Sequence, residues 1–334
     1  MEYFYVFQTL MHWLKTALFF LIAGMVVGCA SRDLPRDPAL VAERKGITFL
    51  SREVPAWRKD NGCFSCHNNG DAARALYLAS QKGYRIPAPV LAATTAWVTH
   101  PQRWDENKGD PGFSDKRLAD LQFAASLLAA KSSDLIEDSS GMKLAATRLL
   151  SGQAADGSWP IEAKDTLGSP ATYGAPLATH IAVLVLSQID SAEAHSAKAK
   201  AEQWLRTQVP VNTVLNASTL LMALQDVQDA DAETKRQQCL QFIRRAQTSD
   251  SAWGPYANSP SEVFDTAMVL LALAPMRANP DIAALIQSGR SYLAANQYDD
   301  GSWPETTRPS GGESYAQRLS TTGWAVQALL QTRD

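Results

Sequence analysis

A glutamine followed six residues later by a tryptophan recurs along this chain and limits what it can fold into. The two closest copies are Gln153-Ala154-Ala155-Asp156-Gly157-Ser158-Trp159 and Gln297-Tyr298-Asp299-Asp300-Gly301-Ser302-Trp303. A looser copy runs from Gln247 to Trp253, and a stretch of helical pattern carrying Leu or Ile leads into each glutamine. Gly157 and Gly301 suit tight backbone turns, and the tryptophans beside them supply large apolar surfaces. Trp104, Trp159, Trp253 and Trp303 keep the rhythm, and the 94 residues from Trp159 to Trp253 make two units. A period of about fifty residues marks repeated helical hairpins, which cannot bury their apolar faces alone and must stack.

Apolar periodicity places six hairpins at 40–53 with 70–82, 88–100 with 115–131, 138–151 with 174–190, 192–208 with 213–227, 232–248 with 261–275, and 279–296 with 314–332. The second helices are richer in small and apolar residues, as in Leu220-Leu221-Met222-Ala223-Leu224 and Ala267-Met268-Val269-Leu270-Leu271. Helices that are apolar around most of their circumference belong inside. The expected fold is therefore all-α, an α/α toroid of about six hairpins with the second helices as the inner ring. It occupies residues 40–332 as a single domain. Gly62-Cys63-Phe64 aligns with Gly301-Ser302-Trp303, which brings the first hairpin into the same register. A net charge of -3 gives no reason to expect nucleic acid as a partner.

Residues 1–29 read separately. Lys15 precedes the apolar run from Ala17 to Val27, too short for a comfortable membrane span, and Val26-Val27-Gly28-Cys29 resembles a bacterial lipobox. The expectation is a signal peptide ending at a lipidated Cys29, a linker over 30–39, and a domain anchored in the cell envelope facing the periplasm, at the outer membrane.

The glutamine-to-tryptophan turns resemble the QW repeats of the squalene–hopene cyclase and prenyltransferase superfamily, whose fold is an α/α toroid around a central cavity. That resemblance implies a hydrophobic small-molecule partner. Class II cyclases of this kind protonate an alkene or epoxide from an Asp-x-Asp-Asp motif, which is missing here. The zinc set of the protein prenyltransferases is missing too, since no histidine follows His195. Asp265, Glu262, Tyr173 and Tyr315, near the starts of inner helices, are the candidate catalytic residues. His180, Asn212, Asn216, Glu313 and Thr321 are further inward candidates, with His180 read first as a core histidine among Leu177, Ile181 and Leu184.

Cys63-Phe64-Ser65-Cys66-His67 has the spacing at which c-type haem is attached, with two thioethers and an adjacent histidine on iron. The reading from this motif is one covalent haem c held by Cys63, Cys66 and His67 in the first hairpin loop. His100 is the first choice for the distal metal ligand, Met142 and His180 come after it, and Trp57, Trp97 and Trp104 shield an edge. A Cys63–Cys66 disulfide and a metal or redox site remain alternatives. The leading functional expectation is an exported, lipid-anchored protein serving electron transfer or redox-coupled binding of a hydrophobic ligand, with a redox partner protein. A cyclase-like enzyme and a noncatalytic envelope scaffold stand as alternatives.

Overall fold

The computed structural model describes residues 37–107, 116–138, 140–161, 173–306 and 314–333. Cys29, the expected signal peptide, most of the expected linker, and Glu313 lie outside the described residues.

The described chain runs as paired helices. α1 spans Pro38–Asn61; a π-helical turn, Cys66–Ala72, leads into α2, Ala73–Gln81. The second pair is α3 (Ala88–Val98) and α4 (Lys116–Ser132), the third α5 (Ser140–Gly152) and α6 (Gly174–Leu186). The fourth is α7 (Ala192–Gln208) and α8 (Val214–Ala223), the fifth α9 (Ala230–Ala246) and α10 (Val263–Leu273). α11 (Pro280–Ala295) and α12 (Tyr315–Gln331) complete the set.

Each second helix packs on the next, α2 on α4, then α6, α8, α10 and α12, and α12 returns to the π-turn and α2. The inner ring is closed. Burial follows position: α10 is buried at every residue from Val263 to Leu270, whereas outer α7 buries only Ala194, Ala197, Ala201 and Leu205, one stripe at helical spacing. No described helix is long and apolar enough to cross a membrane.

The repeat turns hold the pairs in register by a common set of bonds. The indole N–H of Trp159, Trp253 and Trp303 donates to the carbonyl ten residues earlier, on Leu149, Ile243 and Leu293, at 2.8, 2.8 and 2.7 Å. Their backbone N–H groups donate to Thr179, Thr266 and Thr322 of the paired inner helices. The glutamines reach the next outer helix: Gln153 Nε2 donates to Ala197 O, Gln247 Nε2 to Ser288 Oγ, and Gln297 Nε2 to Ala42 O at 2.8 Å. That last bond joins the sixth hairpin to the first. Gly157 and Gly301 have φ of +98° and +92°, and a Cβ there would lie 2.6 and 2.5 Å from the carbonyl oxygens of Lys200 and Lys45. A side chain fits neither the backbone angle nor the space.

The first hairpin uses the same device with different atoms. Phe64 stands where the others have tryptophan and has no indole N–H. Asn68 Nδ2 instead donates to Val54 O, the carbonyl ten residues before Phe64, at 3.0 Å. Asn107 accepts the Phe64 N–H through Oδ1 and donates back to the Phe64 carbonyl. Cys63 therefore occupies the turn position that Ser158 and Ser302 fill elsewhere. The segment expected to be loop through His67 is helical from Cys66 onward, because Ser65 caps it by accepting the His67 N–H and Asn69 Oδ1 accepts the Ser65 N–H.

Candidate functional site

The inner helices carry few charges among their described residues, and two of these sit together where the first inner helix begins. Asp71 lies next to the end of the π-turn, with no side-chain exposure, and Arg74 follows three residues later, 14% exposed. Asp71 Oδ1 accepts the Tyr173 hydroxyl at 2.6 Å; Oδ2 accepts Gln122 Nε2 and the Ser320 hydroxyl, each at 2.6 Å. These donors come from the second, third and sixth hairpins, so one carboxyl group joins four of the six. Arg74 Nη1 lies 3.5 Å from Asp71 Oδ1 and 3.4 Å from the Tyr173 oxygen. Its guanidinium carbon stands 4.8 Å from the centre of the Trp324 ring. Tyr173 and Phe264 meet that ring edge-on, with centroids 5.8 and 5.9 Å away. The result is an aromatic wall with one acid and one base set into it.

Burial dominates the electrostatics. It pushes the Tyr173 hydroxyl well above its usual pKa, and the Asp71 charge pushes in the same direction. His180, on α6, is pushed down from 6.5 to about 4 by burial and then by the Arg74 charge, so its ring is neutral at physiological pH. Burial likewise lowers His67, against an opposing pull from Asp71. Buried polar atoms of the inner ring without a hydrogen-bond partner among the described residues include His67 Nε2, Asn68 Oδ1, Gln122 Oε1, His180 Nδ1, Ser218 Oγ, Thr219 Oγ1 and Trp324 Nε1. Buried polar atoms are nearly always satisfied, by protein or by ordered water.

Of the residues expected from sequence, Tyr173 and His180 lie in this group. Asp265 is fully buried in the first turn of α10, and Glu262 is the half-buried residue before that helix. Tyr315 is 46% exposed and so does not line the interior, because it occupies the first, outward turn of α12 beside Glu53. Asn216 braces the Val209–Pro210 turn through Pro210 O and the exposed Asn212, and Thr321 accepts the Thr306 N–H. Asp71, Arg74, Gln122, Ser320 and Trp324 went unnoticed in the sequence. The usable signal was Asp71-Ala72-Ala73-Arg74, an acid and a base three residues apart at the start of a helix whose next five residues, Ala75 to Ala79, are Ala, Leu or Tyr.

The haem reading requires Cys63, Cys66 and His67 to present one open face. Instead Cys63 belongs to the repeat turn, while Cys66 and His67 begin the helix that enters the ring, with His67 Nδ1 3.4 Å from Cys66 Sγ and the residue 6% exposed. His100 is on the surface at the end of α3, its Nδ1 donating to Ala96 O at 2.8 Å, and Met142 is buried in outer helix α5. Trp97 stacks on Phe64 with centroids 4.5 Å apart and meets Phe123 edge-on, as Trp104 also meets Phe123, so these rings fill the space between the first two hairpins. Cys63 and Cys66 are not joined by a disulfide. Among the described residues no three His, Cys, Asp or Glu side chains gather as a metal site.

Comparison with known proteins agrees with the fold. The family model for the squalene-hopene cyclase C-terminal domain matches residues 209–334. A variant of the type II terpene cyclase MstE from Scytonema, in complex with geranylgeranyl dihydroxybenzoate as substrate, is similar with a TM-score of 0.56 at 14% identity, covering 88% of this chain and 98% of that one. The unsaturated glucuronyl hydrolase of Bacillus sp. GL1 gives 0.58 at 13% identity, over 86% of this chain and 96% of that one. The ent-copalyl diphosphate synthase of Streptomyces platensis gives 0.53 at 16% identity, over 78% and 50%. No curated protein matches the sequence. The fold is thus the all-α toroid of the terpenoid cyclase and prenyltransferase superfamily. With the motif absorbed into that fold, the expectation of a haem electron carrier with a redox partner is overturned.

Proposed function

We propose that this chain is an enzyme of terpenoid-cyclase type that holds an apolar, isoprenoid-like molecule inside its ring, with Asp71 as the acid. The observation that carries this reading is a carboxyl group with no exposure, placed where four hairpins meet beside the rings of Tyr173, Trp324 and Phe264. The likeness in fold to a type II terpene cyclase solved with a geranylgeranyl substrate supports it.

Protonating an alkene needs an acid shielded from water and a conjugate base that is stabilised as it forms. The Asp71 proton passes to one alkene carbon, and the π electrons become the new C–H bond. The neighbouring carbon is left positive, and the next double bond attacks it. Hydrogen bonds from Tyr173, Gln122 and Ser320 already surround the carboxylate that remains, so no reorganisation is needed at that moment. Aromatic faces stabilise the travelling cation. His180, neutral and with Nδ1 unpartnered, is placed to take the proton released when the last alkene forms. Proton in and proton out balance, and the product is a cyclic isomer of the substrate.

The test is product analysis with squalene and geranylgeranyl compounds. The native chain should yield cyclic isomers, and Asp71→Asn should lower turnover by at least ~1,000-fold while still binding the polyene, the scale at which loss of a proton donor is felt. Undiminished product from Asp71→Asn, or a native chain that binds no polyene, overturns the reading.

A further inference from the structure

The first repeat turn carries two thiols that the other turns do without. We propose that Cys63 and Cys66 form a thiol–disulfide exchange site that takes a low-molecular-weight disulfide, and that closing the bond between them loosens the turn carrying Asp71.

Cys63 stands where Ser158 and Ser302 stand in two other turns. Each serine donates through its N–H and its hydroxyl to an aspartate two residues earlier, Asp156 or Asp300. In the first turn that place is held by Asn61, whose Nδ2 donates back to Trp57 O at 3.0 Å. The turn is thus made without the bonds that the serines supply. Cys63 and Cys66 are both half-buried and not joined to each other. Cys239 offers the contrast: it is fully buried in α9, and burial pushes its thiol up to about 12.

The surroundings of Cys66 favour reaction. Its Sγ lies 3.4 Å from His67 Nδ1, and burial lowers the His67 pKa, which leaves a neutral ring able to accept a proton there. His67 Nε2 is buried with no partner among the described residues, so no bond on that side opposes the tautomer in which Nδ1 accepts. The Arg58 guanidinium stands 4.7 Å from the centre of the Phe64 ring, between the two cysteines in sequence. A proton acceptor and a positive charge near a partly exposed thiol are the conditions under which cysteine becomes a nucleophile.

The exchange balances. The Cys66 proton passes to His67, and the sulfur attacks one sulfur of the small disulfide. That S–S bond breaks, and the first leaving thiolate takes the proton from His67. Cys63 then attacks the Cys66 sulfur, and its own proton leaves with the second small thiol. Two protein thiols have lost two electrons and one disulfide has become two thiols. Ser65 is enclosed between the new bond's ends. It caps the π-turn by accepting the His67 N–H at 3.3 Å, and its carbonyl accepts the Asn69 N–H at 2.6 Å. Drawing two sulfurs to about 2 Å moves the backbone on both sides of that cap, and Asp71 lies in the turn the cap begins. None of this depends on what the ring holds.

The test is peptide mapping of the reduced full chain after exposure to oxidised glutathione, which reads each cysteine separately. The native chain should lose two hydrogens from the Cys63–Cys66 peptide while Cys239 stays unmodified. Cys63→Ser, which places in this turn the residue two other turns use, should stop at a glutathionyl group on Cys66. Adding His67→Gln to that variant should slow its formation by ~10-fold or more at neutral pH. In the oxidised native chain, hydrogen exchange should quicken over residues 66–72 and stay unchanged in α7 and α8. A native chain that keeps both thiols, or takes glutathione without closing the bond, overturns the exchange site. Equal rates with and without His67 overturn its role as proton acceptor. A closed bond with unchanged exchange over 66–72 overturns the link to Asp71. Should a variant fail to fold, mapping and exchange on the native chain decide.

Discussion

At Asp71, three neutral donors meet the carboxyl group that burial removes from water, whereas His67 Nε2 and His180 Nδ1 have no partner among the described residues. His180 consequently makes folding sensitive to acid. Its pKa falls from an ordinary 6.5 to about 4 in the folded chain, so between these values the unfolded chain binds the extra proton. Stability must then decrease as pH falls through that window and be complete above it, with a total effect on the order of 3 kcal/mol. Urea unfolding at pH between 4 and 7 should show this slope, and His180→Gln should flatten it. An unchanged slope in the variant would show that His180 is not the group responsible.

The paired helices show why part of this molecule was legible in its sequence. The boundaries of α7, α9 and α11 follow from apolar stripes and from the capping residues Ser191, Asp229 and Asn279, all local signals. Cys63 to His67 shows the opposite case. Those five residues spell a haem motif, but they are also a repeat turn followed by a helix start, held by the Asn68-to-Val54 bond, which no local pattern announces. Asp71 was hidden for a related reason, since its partners lie 51, 102 and 249 residues away in sequence. The turns themselves make a paired prediction. Ser251 has φ +63° where Gly157 and Gly301 have positive φ at the same place in their turns. Ser251→Gly should stabilise the fold by about 1 kcal/mol, whereas Gly301→Ala should destabilise it by about 1–3 kcal/mol, through backbone strain and the clash with Lys45 O. Thermal melts of the two variants should shift in opposite directions.

Across the whole molecule, the bond from Gln297 to Ala42 and the packing of α12 on α1 and α2 complete a circle whose members are 255 residues apart at that joint. Closing so long a loop carries an entropic cost but removes two apolar ends that an open stack would expose. Gln297→Ala should therefore loosen the joint more than its hydrogen bonds alone imply. Hydrogen exchange should quicken in α1 and α12, with little change in α7 and α8 on the far side; uniform quickening would indicate a general loss of stability instead. Because α1 and α12 are neighbours, the cyclic order of the hairpins matters more to the architecture than which one is translated first. A permuted gene that opens the chain at the Val209–Pro210 turn, and joins the last helix to the first by a short linker, would ask the same six pairs to meet the same neighbours.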